Sequence, residues 1–242
     1  MKICVAQTQP VKGDITSNIE KHKKLIDAAV SSGSGMIIFP ELSLTGYEPK
    51  LAKVLATDQN DSRLDCFQQI SDSDTITIGV GIPTRDGKGI NISMILFQPH
   101  EQRLVYSKKY IHADEEEFFT AGQNFTLFER SNVNIALAIC YELSVLQHAE
   151  EAFKSGAGIY IASVAKTADG VDKAIKRLSS VAGDYAMTVL MSNCVGHCDG
   201  ETCGGKSSIW DSKGLLLAQL NDTGEGILIL DTVTKATIEK KI

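Results

Sequence analysis

The stretch KICVAQTQPVKGDITSNIEKHKKLIDAAVSSGSGMIIFP, residues 2–40, decides the fold class. It starts with an apolar run at residues 3–6 that reads as a strand. Gly13-Asp14 then introduces a helix with apolar or semi-apolar positions at Ile15, Ile19, Ile26, Ala29 and Val30, the spacing of one buried face. Gly33 and Gly35 end it. Met36-Ile37-Ile38-Phe39 follows, stopped by Pro40, as expected of a strand buried on both faces. Strand, helix and strand in such quick succession make a βαβ-type unit.

The pattern continues outward with more strands. Residues 75–82, 90–97 and 103–106 read as strands separated by Arg85-Asp86-Gly87 and a turn around Pro99. Residues 133–139 form another, ending at Cys140. Ser144-Val145-Leu146-Gln147 has capping-box spacing and predicts a helix running to about Lys154. A strand at 158–164, a helix at 172–186 and a strand at 188–192 follow. The end is β-rich, with strands at 206–210, 215–220 and 226–230. No repeat, low-complexity tract or long linker interrupts the chain. The expectation is one α/β domain over residues 1–242, its helices covering a mixed sheet or a pair of sheets.

Hydrophobic residues make up 43% and charged residues 22%, the balance of an ordinary globular chain. The net charge of -6, without a run of like charges, argues against a nucleic-acid partner. The N-terminal apolar patch is broken by Gln7, Thr8 and Gln9, so neither a signal peptide nor a membrane span is expected. That places the chain in the cytoplasm, with Cys4, Cys66, Cys140, Cys194, Cys198 and Cys203 mostly free thiols.

Three segments carry a reactive side chain just past an apolar strand, where a rigid frame meets the mouth of a core. Glu41 follows Ile37-Ile38-Phe39-Pro40; a carboxylate there is partly desolvated and a stronger base, although a strand-end surface Glu fits the position alone. Lys108 follows Val105-Tyr106-Ser107 and is suited to hold a developing oxyanion, against the plainer reading of a solvated lysine. Of the acids at 114–117, most are expected in solvent. Cys140 ends Ala136-Leu137-Ala138-Ile139 and precedes the expected helix, the strand–turn–helix context of a nucleophile elbow. A buried structural cysteine is the alternative. Together the three supply a nucleophile, a base and a cation.

These segments resemble those of the nitrilase superfamily of carbon–nitrogen hydrolases. The likeness runs in order along almost the whole chain. It includes Val5-Ala6-Gln7, Gly13-Asp14 with Asn18, Phe39-Pro40-Glu41-Leu42-Ser43-Leu44-Thr45-Gly46-Tyr47, and Tyr106-Ser107-Lys108 with Tyr110-Ile111. It continues through Asp114-Glu115 with Phe119 and Gly122, Ile139-Cys140-Tyr141-Glu142-Leu143, Asn193 with Gly196, and Gly205-Lys206-Ser207 with Asp211 and Gly214. The resemblance implies a four-layer α-β-β-α sandwich, a homodimer or higher homo-oligomer, and a Glu41–Lys108–Cys140 triad. Glu115 would support Lys108, and the Tyr141 N–H would share the oxyanion. Lys108 is preferred to Lys109 because it lies two residues after Tyr106. The implied reaction is cleavage of a small amide or carbamoyl compound with no metal or cofactor. Nitrile hydrolysis, acyl transfer and a non-catalytic binding role remain open, as does a redox use of Cys140.

Departures fall outside the triad. Glu142 stands where Asp is frequent, Asp184 is another acidic position in the later helix, and Ser163-Val164-Ala165-Lys166 lacks Trp and Asn. Glu142 and Lys166 are expected in solvent. Loops around residues 47–52, 118–123 and 164–171 should shape the pocket. Cys194, His197, Cys198 and Cys203 have the donors for zinc but not the paired C-x-x-C spacing, so free thiols in an entrance loop are expected.

Overall fold

The computed structural model describes residues 1–87, 89–123 and 127–242. The chain first lays down β1 (Lys2–Gln7), β2 (Met36–Ile38), β3 (Thr77–Arg85), β4 (Ile90–Phe97) and β5 (Leu104–Ser107). It then crosses to a second sheet with β6 (Leu127–Arg130), β7 (Val133–Ile139), β8 (Ile159–Ser163) and β9 (Thr188–Ser192). A separate hairpin, β10 (Val195–Cys198) and β11 (Glu201–Gly204), precedes β12 (Ser208–Trp210) and β13 (Leu216–Gln219). Finally β14 (Gly226–Asp231) and β15 (Thr237–Lys241) return to the first sheet. The spatial orders are β15-β14-β1-β2-β3-β4-β5 and β13-β12-β9-β8-β7-β6. Helices α1 (Ile15–Val30), α2 (Ala52–Leu55) and α3 (Asp65–Asp74) belong to the first half, α4 (Leu146–Lys154) and α5 (Ala168–Tyr185) to the second.

Strand alternation sorts the core into layers. In β1, Ile3 and Val5 join the cluster shared with the second sheet, whereas Cys4 and Ala6 face a cluster with Ile19, Leu25 and Ile26 of α1. The partner β14 obeys the same rule through its register, Val5 opposite Leu228 and Cys4 opposite Ile229. Helices α1 and α3 cover the outside of the first sheet, and α5 packs on β9 and β12 of the second. The result is the four-layer α-β-β-α sandwich. Each fully buried aliphatic side chain in it contributes about 1.5–3 kcal/mol.

Helix α1 begins where the sequence says it should. The Asp14 carboxylate accepts from Ser17 N at 3.0 Å, and the chain leaves the helix through Gly33 at φ 75°. Other boundaries moved. Helix α5 starts at Ala168, because Thr167 caps it by accepting from Gly170 N. The capping box at Ser144 does not form: residues Cys140–Ser144 make a 3-10 turn, and α4 begins after Val145 without a side-chain cap. Helix α3 escaped the sequence reading because it buries only Phe67 and Ser71. The β10–β11 hairpin stands where an irregular loop was expected. Strand β15 carries polar residues and is recruited by backbone pairing to the edge of β14. Among the described residues, no helix is long and apolar enough to cross a membrane.

Candidate active site

Glu41 sits in the turn that ends β2. The turn is tied to β3 by Phe39 N donating to Gly79 O (2.9 Å) and Leu44 N to Gly81 O (3.0 Å). It presses so closely on β3 that a Cβ on Gly81 would lie 2.4 Å from Leu42 N. From below, His22 stacks on Phe39 at 4.0 Å. Its Nδ1 meets Asn18 O and its Nε2 meets Ser43 Oγ, which also accepts from Gly81 N. Burial pushes this imidazole down to about 3, so it is neutral.

Lys108 follows β5, its backbone pinned by Lys108 N to Ile92 O (2.8 Å) and Gly122 N to Lys108 O (2.7 Å). Cys140 follows β7 and adopts φ 43°. A positive φ on a non-glycine residue is strained and found at functional turns. The sequence expectation of an elbow therefore corresponds to a real left-handed kink.

These elements bring Glu41, Lys108, Glu115 and Cys140 together. Lys108 Nζ donates to Glu41 Oε1 at 2.9 Å and to Glu115 Oε1 and Oε2 at 2.7 and 2.9 Å. Lys108 is fully buried, and Glu41 and Glu115 are each 2% exposed. Burial alone would discharge the ammonium, but Glu41, the Cys140 sulfur and Glu115 outweigh it and raise its proton affinity. Burial also raises the proton affinity of Glu41; Lys108 opposes this and Glu115 adds to it. Oε2 of Glu41 is buried with no hydrogen-bond partner among the described residues. The thiol of Cys140 lies close enough to perturb the same carboxylate. Burial and then Glu41 push that thiol up to about 11, against the pull of Lys166, Lys108 and the Ala165 backbone. The resting sulfur is therefore a neutral thiol. Tyr141 lies in the first turn after Cys140, where backbone N–H groups have no acceptor within the turn.

Sequence reasoning missed two features. The Tyr47 hydroxyl donates to Glu115 Oε1 at 2.9 Å, and Glu115 Oε2 also accepts from His112 N. Tyr47 closes the quoted Phe39–Tyr47 motif, which was the available signal. The second is a correction: Glu142 is fully buried rather than solvated. It accepts from Tyr106 Oη (2.7 Å), Ile139 N (2.7 Å), Lys109 N (2.6 Å) and Tyr110 N (3.3 Å). Behind Tyr106 stand His148 and Tyr160. Burial still raises Glu142 to about 7. Asp114, Glu116 and Glu117 are exposed as expected, and Asp184 is exposed on α5. Lys109 pairs with Glu151 at the surface. Lys166 is half-buried, in a turn held by Lys166 N donating to Asn193 Oδ1.

A cleft of about 410 Å³ lies between two of the expected pocket loops, with Pro49, Ala52 and Phe118 in its lining. The thiol expectation is corrected in part. Cys4, Cys66, Cys140 and Cys194 are free, but Cys198 and Cys203 are disulfide-bonded, with Cα atoms 6.4 Å apart across the hairpin. His197 is exposed and takes no part.

Residues 2–240 match the family model of the carbon-nitrogen hydrolases. Among curated proteins, a glutamine-dependent NAD(+) synthetase of Thermotoga maritima is 26% identical over 224 residues, covering 88% of this chain. The chain spans only 39% of that protein's length. An (R)-stereoselective amidase of Pseudomonas sp. is 24% identical over 66% of this chain and 59% of its own. Among solved structures, the amidase of Nesterenkonia sp. AN1, in a complex with butyramide, superposes with a TM-score of 0.88 at 20% identity, over 97% of this chain and 92% of that one. Another form of it carries covalent addition of an acetamide moiety at the active site cysteine.

Proposed function

Because the chain belongs to the carbon–nitrogen hydrolase family, we propose that it hydrolyses a small amide through a thioester on Cys140. The observation that carries this reading is the buried Oε2 of Glu41, which has no hydrogen-bond partner among the described residues by distance and angle, beside a Cys140 thiol held in a strained elbow. A base with a raised proton affinity and a free oxygen facing a neutral thiol is suited to take its proton.

Glu41 accepts the Cys140 proton as sulfur attacks the carbonyl carbon. Lys108 Nζ and the Tyr141 N–H receive the negative charge on oxygen. As the C–N bond breaks, Glu41 returns its proton to the leaving nitrogen. Water then attacks the thioester, Glu41 takes its proton, and that proton goes back to sulfur as the C–S bond breaks. Glu115 keeps Lys108 charged and aimed throughout. The reaction calls for no cofactor. The likeness to glutamine-dependent synthetases favours a second reading of the same site, ammonia release from a glutamine-type side-chain amide. We place the protein in the cytoplasm as a homodimer. Leu146 and Phe153, 54% and 50% exposed, lie seven residues apart on one face of α4 and suit such a contact.

The test is ammonia release from a panel of small amides, glutamine, carbamoyl amino acids and nitriles. A turned-over substrate should leave an acyl mass on Cys140, and Cys140→Ala should lose turnover with unchanged circular dichroism. Turnover retained in that variant would sink the mechanism.

A further inference from the structure

Three sulfurs converge on the wall of the site, outside the chemistry just described. The β10–β11 register pairs Gly196 with Cys203 and Cys198 with Glu201. Alternation along the strands then puts Cys198 and Cys203 on one face, in line with Cys194, and His197 on the other. The cysteine face is buried, with exposures of 2%, 6% and 1% for Cys194, Cys198 and Cys203. Their Sγ atoms lie within 4.8 Å of one another. Backbone bonds fix the frame: Val195 N to Thr8 O (2.9 Å), Gly204 N to Lys166 O (2.8 Å) and Gly205 N to Cys194 O (3.0 Å).

A disulfide occupies two of these sulfurs and leaves the third a free thiol. Among the described residues, Cys194 Sγ meets Cys203 Sγ at 2.8 Å and Asn193 Oδ1 at 3.9 Å. A thiophilic cation would use all three. Metal–sulfur bonds of about 2.3 Å in a tetrahedral or trigonal site set the sulfurs about 3.8–4.0 Å apart. The hairpin already holds them within 4.8 Å of one another, near that spacing. We propose that Cys194, Cys198 and Cys203, once the Cys198–Cys203 bond is reduced, bind one soft cation such as Zn²⁺.

The steps balance. A phosphine or thiol reductant supplies two electrons, and two protons cap the separated sulfurs. The three thiols then release three protons as three metal–sulfur bonds form. The cluster packs against Tyr47 and Ala165. Tyr47 bonds Glu115 and the Ala165 backbone faces Cys140, so the ion braces the wall of the site and crosslinks β10 to β11.

The test uses the full chain, reduced with a phosphine and handled anaerobically. Cd²⁺ and Zn²⁺ are titrated in turn. Native mass spectrometry reads ion count and folding in one spectrum, and thiolate-to-Cd²⁺ absorbance reports the ligands. One ion per chain is expected for the wild type, Cys140→Ala and Cys66→Ser. Cys194→Ser and Cys203→Ser should bind at least tenfold more weakly while giving folded-state charge envelopes. A reduced wild type that takes up no ion would overturn the proposal. So would binding that follows Cys140 or Cys66, or Cys194→Ser binding as tightly as wild type. Cys198→Ser serves if either of the other variants unfolds. None of these readouts involves amide hydrolysis, so the site stands or falls apart from the proposed reaction.

Discussion

Replacing Glu115 by Gln isolates the charge arrangement on which the mechanism rests. Its carboxylate accepts from Lys108 Nζ twice, from Tyr47 Oη and from His112 N. Gln keeps the shape but offers an amide nitrogen to partners that are all donors, and it removes one of the two negative charges around Lys108. Oxygens bonded to one nitrogen at 2.9 and 2.7 Å are at most about 5.6 Å apart. At an effective dielectric constant near 20, two like charges at that separation repel by about 3 kcal/mol, or roughly two pKa units. Glu115 therefore raises the proton affinity of Glu41, in the direction its environment indicates. The variant should move the acid limb of kcat/KM to lower pH by about one to two units. A weaker base and a poorly held Lys108 should also cut kcat about 10²–10³-fold. The assay is ammonia release across pH with the best amide of the panel, alongside thermal unfolding to confirm the fold. An acid limb that stays in place, with kcat within a few-fold of wild type, would refute the electrostatic reading. It would leave Glu115 a packing residue.

Gly81→Ala should disable the enzyme without touching a reacting group. The added Cβ falls 2.4 Å from Leu42 N and 2.5 Å from Pro40 O, both backbone atoms, so the Glu41 turn must shift; kcat should drop at least tenfold in the amide assay. Glu142→Gln should cost about 2–4 kcal/mol, because its buried oxygens face donors only, and urea unfolding measures it. The pH dependence of that loss has a definite sign. Glu142 is raised to about 7 in the fold, so its contribution to stability is fullest below its unfolded value and declines as pH climbs through 7. The variant should lack that decline. His22 acts in the opposite sense. Its folded value near 3 means stability is lost as pH falls below about 6.5, and His22→Gln should flatten that acid limb.

The outer architecture was largely legible, because buried strands and α1 carry unbroken apolar patterns. Strands β4, β7 and β9 and helix α1 begin and end where the residues predict. What escaped were elements stabilised by position rather than composition. Strand β15 is polar and exposed and exists because β14 offers it an edge. The β10–β11 hairpin is rich in Gly and Cys, and its pairing shows only when register is known. The candidate residues that the structure brings together were legible because Glu41, Lys108 and Cys140 each follow an apolar strand. Their partners were harder to read. An acidic residue in a polar run looks solvated, and nothing local says that Glu142 turns inward beneath two strand ends.

That inward turn accounts for how the site keeps its spacing. Cys140 and Lys108 belong to different sheets, and stacked sheets joined only by apolar side chains can slide. Here the sheets are clasped at the strand ends by Ser163 Oγ donating to Phe39 O (2.8 Å) and Ser192 Oγ to Ala6 O (2.6 Å). Glu142 adds a third tie. One carboxylate accepts from Ile139 N, immediately before Cys140, and from Lys109 N, immediately after Lys108. The separation of Cys140 and Lys108 is thus set by hydrogen bonds about 2.7 Å long rather than by soft packing. A buried charge cluster of two carboxylates and one ammonium tolerates little movement, since a lost partner costs about 3–5 kcal/mol. The left-handed residues Leu42 and Cys140, at φ 49° and 43°, add strain of order 1–3 kcal/mol each. Strain and buried charge both persist because the strands leading into them are buried and the sheets cannot separate. The surrounding ties are therefore as much a condition of the proposed chemistry as Glu41, Lys108 and Cys140 themselves.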